Sequence, residues 1–473
     1  MNTIAVVGAS SLAELTLPHT AGWVTSSSPR PPILGATPYQ LATLVEAPHL
    51  PVPDGKRLPF GWRAFAVPSA GQSAAVYLRF GVTPADHRSY NNHRAARLRL
   101  SIAIDVREEK TVEVFLARSQ RAVGRFDMRY AAVFQPFELL LNAVDTTAVL
   151  NEGIGLRQTR GTQPLWVFHP EAHTAANNME ASNTALLPHL LFPFKSDPQT
   201  EFYQRVFSFA SVQAFGWMEG CVLDGMLDLA SVFGTAKVRA AAQSHLRLFF
   251  DDQERLVYER PQSIPVREEI YGIEGLLPFA ALGKVNPRHP ALQLAIDFCL
   301  SRVLSDGTIQ DANRISTEGC YTVAYPLAVL AGVRKRRDLA ELAIKQLLVR
   351  KARLVIDNAV LQSVGADGSQ GLRNWGRGVA WYLLGLARCL PLLERTKETA
   401  ELRTEYARAA QWALRHQQAN GLWSCFIDEP ATGIDTSGSA GIAAALAIGA
   451  NHRLLPSAAR QAAVKASRAL KTY

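Results

Sequence analysis

Glu318-Gly319-Cys320-Tyr321-Thr322-Val323-Ala324-Tyr325-Pro326-Leu327-Ala328-Val329-Leu330 opens on a polar residue and a glycine, then runs apolar for a further eleven positions. The run is apolar on every side, so a helix built from it must be buried. The same mark, a polar residue followed by Gly and an apolar run, recurs at Glu219-Gly220, Glu274-Gly275, Arg377-Gly378 and Ser437-Gly438. In chain order the five glycines are 55, 44, 59 and 60 positions apart, a period of the length of a helical hairpin. Each run is followed by a charge-bearing amphipathic segment, namely Lys237–Phe250, Pro290–Val303, Arg336–Val349, Glu398–His416 and Ser457–Leu470. Buried helices alternating with half-exposed ones describe an inner ring wrapped by an outer ring, an (α/α)6-type toroid. In such a toroid the inner helices start on one rim, so the five marks converge on one funnel. Glycines there would let a ligand approach the helix N-termini, whose partial positive charge favours anions.

Upstream the period changes to two. Leu98, Leu100, Ile102 and Ile104 alternate with Arg99, Ser101 and Ala103, and Val112, Val114 and Leu116 alternate with Glu113 and Phe115. With turn signals such as Ser69-Ala70-Gly71 and Asn151-Glu152-Gly153, residues 61–170 predict an antiparallel β-sandwich. Residues 1–60 are rich in Pro, Ser, Thr and Gly. The opening Ile4-Ala5-Val6-Val7-Gly8-Ala9-Ser10 lacks the glycine-rich turn a nucleotide site would need. A loop-like stretch over 171–200 separates the two patterns. The expected organisation is therefore an N-terminal antiparallel β-sandwich with its linker over 1–190 and an (α/α)6 barrel over 191–473.

Composition narrows the function. The chain has 473 residues, 48% of them hydrophobic, which suits two sizeable cores. No apolar run reaches the roughly 20 residues of a membrane helix, and the first residues lack a basic signal region. Membrane partners are therefore not expected, and a cytoplasmic location is, or a periplasmic one had a signal been removed. The five cysteines form no Cys-x-x-Cys pair and suit buried thiols. His169, His289 and His416 lack metal-ligand spacing, so neither a metal nor another cofactor is expected, and no Gly-x-Ser-x-Gly elbow marks a serine nucleophile. The net charge of +9 is dispersed, without the basic runs of a nucleic-acid binder. An acidic oligosaccharide fits better, and a homodimer is kept as a candidate assembly.

The funnel residues suit that ligand. In Asn374-Trp375-Gly376-Arg377-Gly378-Val379-Ala380-Trp381 the guanidinium of Arg377 can take a carboxylate bidentately, while Trp375 and Trp381 can stack on a pyranose; packing of both rings in the core is the alternative. Glu318, at a helix start among apolar residues, suits a general acid. A second carboxylate comes from Glu268-Glu269 or from Glu274, five residues past Glu269. Glu219, after Trp217, could orient hydroxyls or serve structure alone, and Trp423 in Asn420-Gly421-Leu422-Trp423 reads as a platform on the rim.

These stretches, in order, resemble the unsaturated rhamnogalacturonyl hydrolases and, more distantly, the unsaturated glucuronyl hydrolases, glycoside hydrolases on an (α/α)6 barrel. Trp217-Met218-Glu219-Gly220 is similar to the family's Trp-rich first helix, and Thr317-Glu318-Gly319-Cys320-Tyr321-Thr322 to its Asp-Gly-Leu-Tyr-Met. Asn374 to Tyr382 resembles its Trp-Gly-Arg-x-x-Gly-Trp. Gly421-Leu422-Trp423, Asp428-Glu429-Pro430 and Thr436-Ser437-Gly438-Ser439-Ala440 resemble its close. The resemblance covers roughly 205–470. It implies that Glu318 stands where the family has its acid/base Asp and that Glu269 or Glu274 stands for a second Asp; the family's His before the Arg motif has no evident match, with Gln362 and Ser363 nearby. Val379-Ala380 departs from the family pattern.

The expected activity is release of a terminal uronic acid, unsaturated or saturated, with Glu318 as acid and Glu269 as base. Trp217, Glu219, Tyr321, Trp375, Arg377, Trp381 and Trp423 would bind the substrate. A sugar-binding protein without catalysis is one alternative. A lyase using Tyr321 as base beside Arg377 is another.

Overall fold

In the computed structural model, residues 39–72, 74–81, 95–169, 186–192 and 198–473 are described. The opening Ile4–Ser10 and most of the expected linker lie outside these residues. Two compact units are present: one takes in the described residues up to Met218 together with Ala240–Arg267, the other Glu219–Arg239 and Glu268–Tyr473. The expected single boundary near 190 becomes a division that crosses the chain several times.

The first unit is built on strands β1 (Tyr39–Glu46), β2 (Ala64–Val67), β3 (Val76–Phe80), β4 (Ala96–Ser101), β5 (Glu109–Leu116), β6 (Ala122–Arg129), β7 (Pro136–Leu141), β8 (Ile154–Arg160), β9 (Leu165–Phe168) and β10 (His189–Leu191). Eight of them form one antiparallel sheet in the order β6-β5-β8-β3-β1-β10-β4-β7, and β2 pairs with β9. The strands are antiparallel as expected and join through β1, whose Tyr39–Leu41 pair with β10 and Ala42–Glu46 with β3, and β1 begins well before the expected start at 61. Leu41–Val45 is a short apolar patch in the Pro-, Ser-, Thr- and Gly-rich first 60 residues, and long-range pairing with β3 and β10 makes that segment central. The alternating residues Leu98, Leu100, Val112 and Val114 are buried. Helix α1 (Ala143–Glu152) is capped by Asn142, which accepts from the Asp145 N–H. Ala240–Arg267 belongs to this unit for visible reasons: Arg57 pairs with Glu259 at 2.5 Å, the Lys56 ammonium donates to Gln262 O, and Ser263 Oγ accepts from Asp105 N at 3.0 Å.

Helix α2 (Pro198–Val206) precedes the alternating helices in the chain. Those on the inner side are α3 (Trp217–Asp228), α6 (Leu277–Val285), α8 (Tyr325–Arg334), α10 (Gly376–Cys389) and α12 (Thr436–Asn451). Between and after them run the short α4 (Ala230–Phe233), α5 (Thr235–Arg247), α7 (Ala291–Ser301), α9 (Arg337–Leu354), α11 (Lys397–Arg415) and α13 (Ser457–Leu470). α6 and α8 are buried along almost their whole length, while α11 and α13 bury only stripes such as Leu402, Tyr406, Ala409 and Ala413. α6 packs on α8, α8 on α10, and α10 on α12. No helix among the described residues is long and apolar enough to cross a membrane.

Ahead of α8 the chain makes a π-turn over Cys320–Ala324. Pro326 explains it: proline has no N–H to return to Thr322 O and its ring crowds that carbonyl, so the preceding turn widens. Gly385 of α10 lies against the Cys320 backbone so closely that a Cβ would overlap it. Gly385→Ala should therefore force apart the two helices beside Glu318 and lower stability by about 1–3 kcal/mol, measured as a fall in Tm. In the sheet, His189 is buried, contacts Leu187 O at 2.7 Å through Nδ1, and is pushed down to about 4 by burial. A folded-state value below that of the unfolded chain means stability is lost as pH falls from about 6.5 toward 4, by roughly 3 kcal/mol. His189→Gln should flatten denaturant-derived stability across that window.

Candidate active site

A short antiparallel pairing positions Glu318. Arg314–Ser316 pairs with Ser363–Gly365, Ser316 lies opposite Ser363, and Thr317 N donates to Gln362 O at 2.9 Å. This register brings the Gln362 amide to Glu318, donating to Oε1 at 3.1 Å. Oε2 is buried without a hydrogen-bonding partner among the described residues, and the side chain as a whole is half-buried.

Glu274 sits on the 3₁₀ turn Ile273–Leu276 that leads into α6. Its side chain reaches solvent, yet the protein packed around it, followed by the negative charges of Asp311 and Glu318, holds its carboxyl above the usual range. Glu269 is exposed, just past the strand Pro265–Arg267. Of the two expected second carboxylates, Glu274 is the one that feels the charge of Glu318.

The Arg and Trp stretch meets the same place. Asn374 takes a left-handed conformation (φ 53°), which asparagine tolerates, and turns the chain into α10. Arg377 is exposed and lies over the Trp375 ring, 4.3 Å from its centroid. Gly378 stands beside both Gln362 and Trp375, so Gln362 is the shared neighbour of Glu318 and this stretch. Trp381, half-buried one turn on, stacks on Tyr321 at 6.0 Å between centroids.

Other expectations change. Trp423 has no exposed surface, and its indole N–H donates to Ala413 O at 2.7 Å. A loop position is not a surface position when the loop is tucked under a helix, so Trp423 offers no stacking face. Tyr321 is buried as well; its hydroxyl donates to Asp224 Oδ2 at 2.6 Å, and burial followed by the Asp224 charge holds its proton far above the usual tyrosine range. That removes Tyr321 as a lyase base and as a direct sugar contact. Glu219 is fully buried, which favours its structural alternative, while Trp217 begins α3 half-buried. The repeat glycines receive protein, where a ligand was expected: Leu277 fills the space at Gly220, the Arg350 guanidinium that at Gly319, and the Gly376–Arg377 backbone that at Gly438.

Two groups were missed. Asp311 carries no local signal, since only tertiary folding brings it toward Glu274. The interior ions Asp224, Lys284 and Arg388 did carry one: charged residues within helices that are otherwise apolar all round. Among the described residues, no group of His, Cys, Asp and Glu is arranged to hold a metal ion.

Comparison with known proteins follows the same lines. The model of Glycosyl Hydrolase Family 88 matches residues 196–473. An unsaturated rhamnogalacturonyl hydrolase, YesR of Bacillus subtilis (strain 168), is 40% identical over 73 residues, 15% of this chain, so the match spans about a fifth (21%) of that relative's length. Among solved structures, a family 105 glycoside hydrolase of C. acetobutylicum superposes with a TM-score of 0.48 at 17% identity, covering 55% of this chain and 77% of that one. An unsaturated glucuronyl hydrolase of Bacillus sp. GL1 gives 0.41 at 19% identity, over 55% and 74%. With the family model covering well over half of its length, and with the helical unit and the Glu318 site inside the matched residues, the chain belongs to Glycosyl Hydrolase Family 88.

Proposed function

We propose that this glycoside hydrolase releases a terminal uronic acid from acidic oligosaccharides, with Glu318 and Glu274 as its acid/base pair on an (α/α)6 toroid. The observation that carries the reading is the placement of Glu318, held by Gln362 at a helix start, with Glu274 on the turn into α6 close enough for their charges to act on one another. Two carboxylates whose environments differ, one of them held toward its protonated form, are what acid/base cleavage of a glycosidic bond requires. Glu274, raised by surrounding protein and by its acidic neighbours, is the carboxyl held toward its protonated form and so takes the part of the acid. Glu318, anchored by Gln362, is the partner that takes a proton, so the two roles exchange relative to the sequence expectation. Arg377 is exposed and free to turn from Trp375 to a uronate carboxylate, leaving the indole as a stacking face.

The uronide is either 4,5-unsaturated, cleaved after protonation and hydration of its double bond, or saturated and cleaved by direct hydrolysis. Both need the same pair, so paired substrates decide between them: loss of double-bond absorbance should accompany sugar release only on the first route. Glu318→Gln should lower turnover by at least about 100-fold with an unchanged circular dichroism spectrum; a fully active variant rules out the assignment.

Glu274 gives a stability signature. A carboxyl raised in the folded state favours folding below its folded-state value and loses that contribution as pH rises through it. Glu274→Gln, which cannot ionise, should therefore raise Tm at neutral pH, and the gain should vanish in acid, where wild-type Glu274 is protonated.

A further inference from the structure

Arg350, on α9, is fully buried, and its guanidinium donates only to neutral acceptors: Ser316 O at 3.1 Å, Ile309 O at 2.9 Å, Gln346 O at 3.2 Å and Gln346 Oε1 at 2.9 Å. Gln346 is pinned in turn, accepting from Ile309 N at 2.9 Å and donating to Gly307 O at 2.7 Å. Ser316 lies two residues before Glu318, and Gly319, the residue after it, leaves its Cβ space to the guanidinium. Ile309 lies two residues before Asp311. One side chain therefore grips the chain on both sides of Glu318 and beside Asp311.

Such a site is costly unless the cation has a counter-charge, because desolvating a guanidinium without one loses several kcal/mol. The titratable groups that act on Arg350 are Cys320 on the π-turn, then Glu318, then Asp311. Other charges nearby are engaged elsewhere: Arg314 bonds Ser363 and Ser369, and Arg353 pairs with Asp306. The positive charge beneath Glu318 and Asp311 is thus built into the fold, and it comes from the outer helix.

We propose that Arg350 is a positioning residue for glycoside cleavage: through Ser316, Ile309 and Gly319 it holds the Glu318 and Asp311 segments in place. The inference rests on the reading of Glu318 given above. Arg350 touches no substrate, so its loss acts on kcat more than on KM.

The full-length chain with Arg350→Met or Arg350→Lys tests this, with kcat and KM measured on the uronide that the wild type cleaves, and with circular dichroism for folding. Arg350→Met should lower kcat at least about tenfold and leave KM nearly unchanged. Arg350→Lys keeps the charge and loses the fork, so its kcat should also fall with KM nearly unchanged. A folded Arg350→Met with wild-type kcat overturns the proposal, as does a folded variant whose loss lies in KM with kcat unchanged. If Arg350→Met does not fold, Arg350→Lys decides: reduced kcat with KM unchanged supports the clamp, and wild-type kcat overturns it. Glu318→Gln is assayed alongside. An active Glu318→Gln removes the underlying reading, whereas an inactive one beside a normal Arg350→Met removes this inference alone.

Discussion

One left-handed asparagine ties the helical unit's functional segments together. Asn374 N donates to Val360 O at 2.8 Å, its side-chain oxygen accepts from Val360 N at 2.9 Å, and its amide donates to Asp428 at 2.7 Å. Its carbonyl accepts from Ile427 N at 2.9 Å. Three stretches distant in sequence are thereby held at one residue. The first continues to Gln362 and Ser363, and so to Ser316 and Glu318; Asn374 itself leads into Trp375 and Arg377. The relation between carboxylate, amide and guanidinium follows from backbone pairing rather than from long side chains reaching across space, and backbone pairing is the more rigid arrangement.

The interior of the helical unit is not purely apolar. Asp224 on α3 accepts from the Tyr321 and Tyr325 hydroxyls at 2.6 and 2.9 Å and pairs with Lys284 of α6 at 3.2 Å. Arg388 of α10 meets Asp228 through two hydrogen bonds at 3.2 and 2.7 Å. Buried ions of this kind add little net stability, since desolvation offsets most of the attraction. What they add is exclusivity, because a neighbouring helix rotated or slid by one position would leave a charge unpaired. The Tyr321 ring, fixed from below by Asp224, is the surface on which Trp381 lies. A polar core thus orients an aromatic residue of the candidate site.

Glycine serves the same close packing. Gly220, Gly319, Gly385 and Gly438 each leave room for a neighbouring side chain or backbone. The recurrence of Gly220, Gly319 and Gly438 beside polar residues looked like preparation for a ligand and is the consequence of chain segments meeting at short distance. The polar residue of each mark then has its own fate: Glu219 is buried, Glu318 is half-buried beside Gln362, and Glu274 and Arg377 reach solvent.

Periodicity and order were enough for much of this. Runs apolar on all sides, alternating with amphipathic ones, implied buried and outer helices because burial of a face depends only on which residues share it. The ordered motifs around Trp217, Glu318, Arg377 and Trp423 implied the family, and Glu318 and Arg377 stand with Gln362 between them. What local pattern could not convey depended on distance between remote residues. Trp423 sits in a loop by sequence and in the core by packing; Tyr321 turns to Asp224, 97 positions away. Glu274 and Glu269 are equivalent carboxylates in the chain, and the protein packed around Glu274, followed by the charges of Asp311 and Glu318, sets it apart. Arg350 reads as one more outer-helix cation, and its burial beneath Glu318 is a fact of tertiary structure, because charge and solvation act through space and not along the chain.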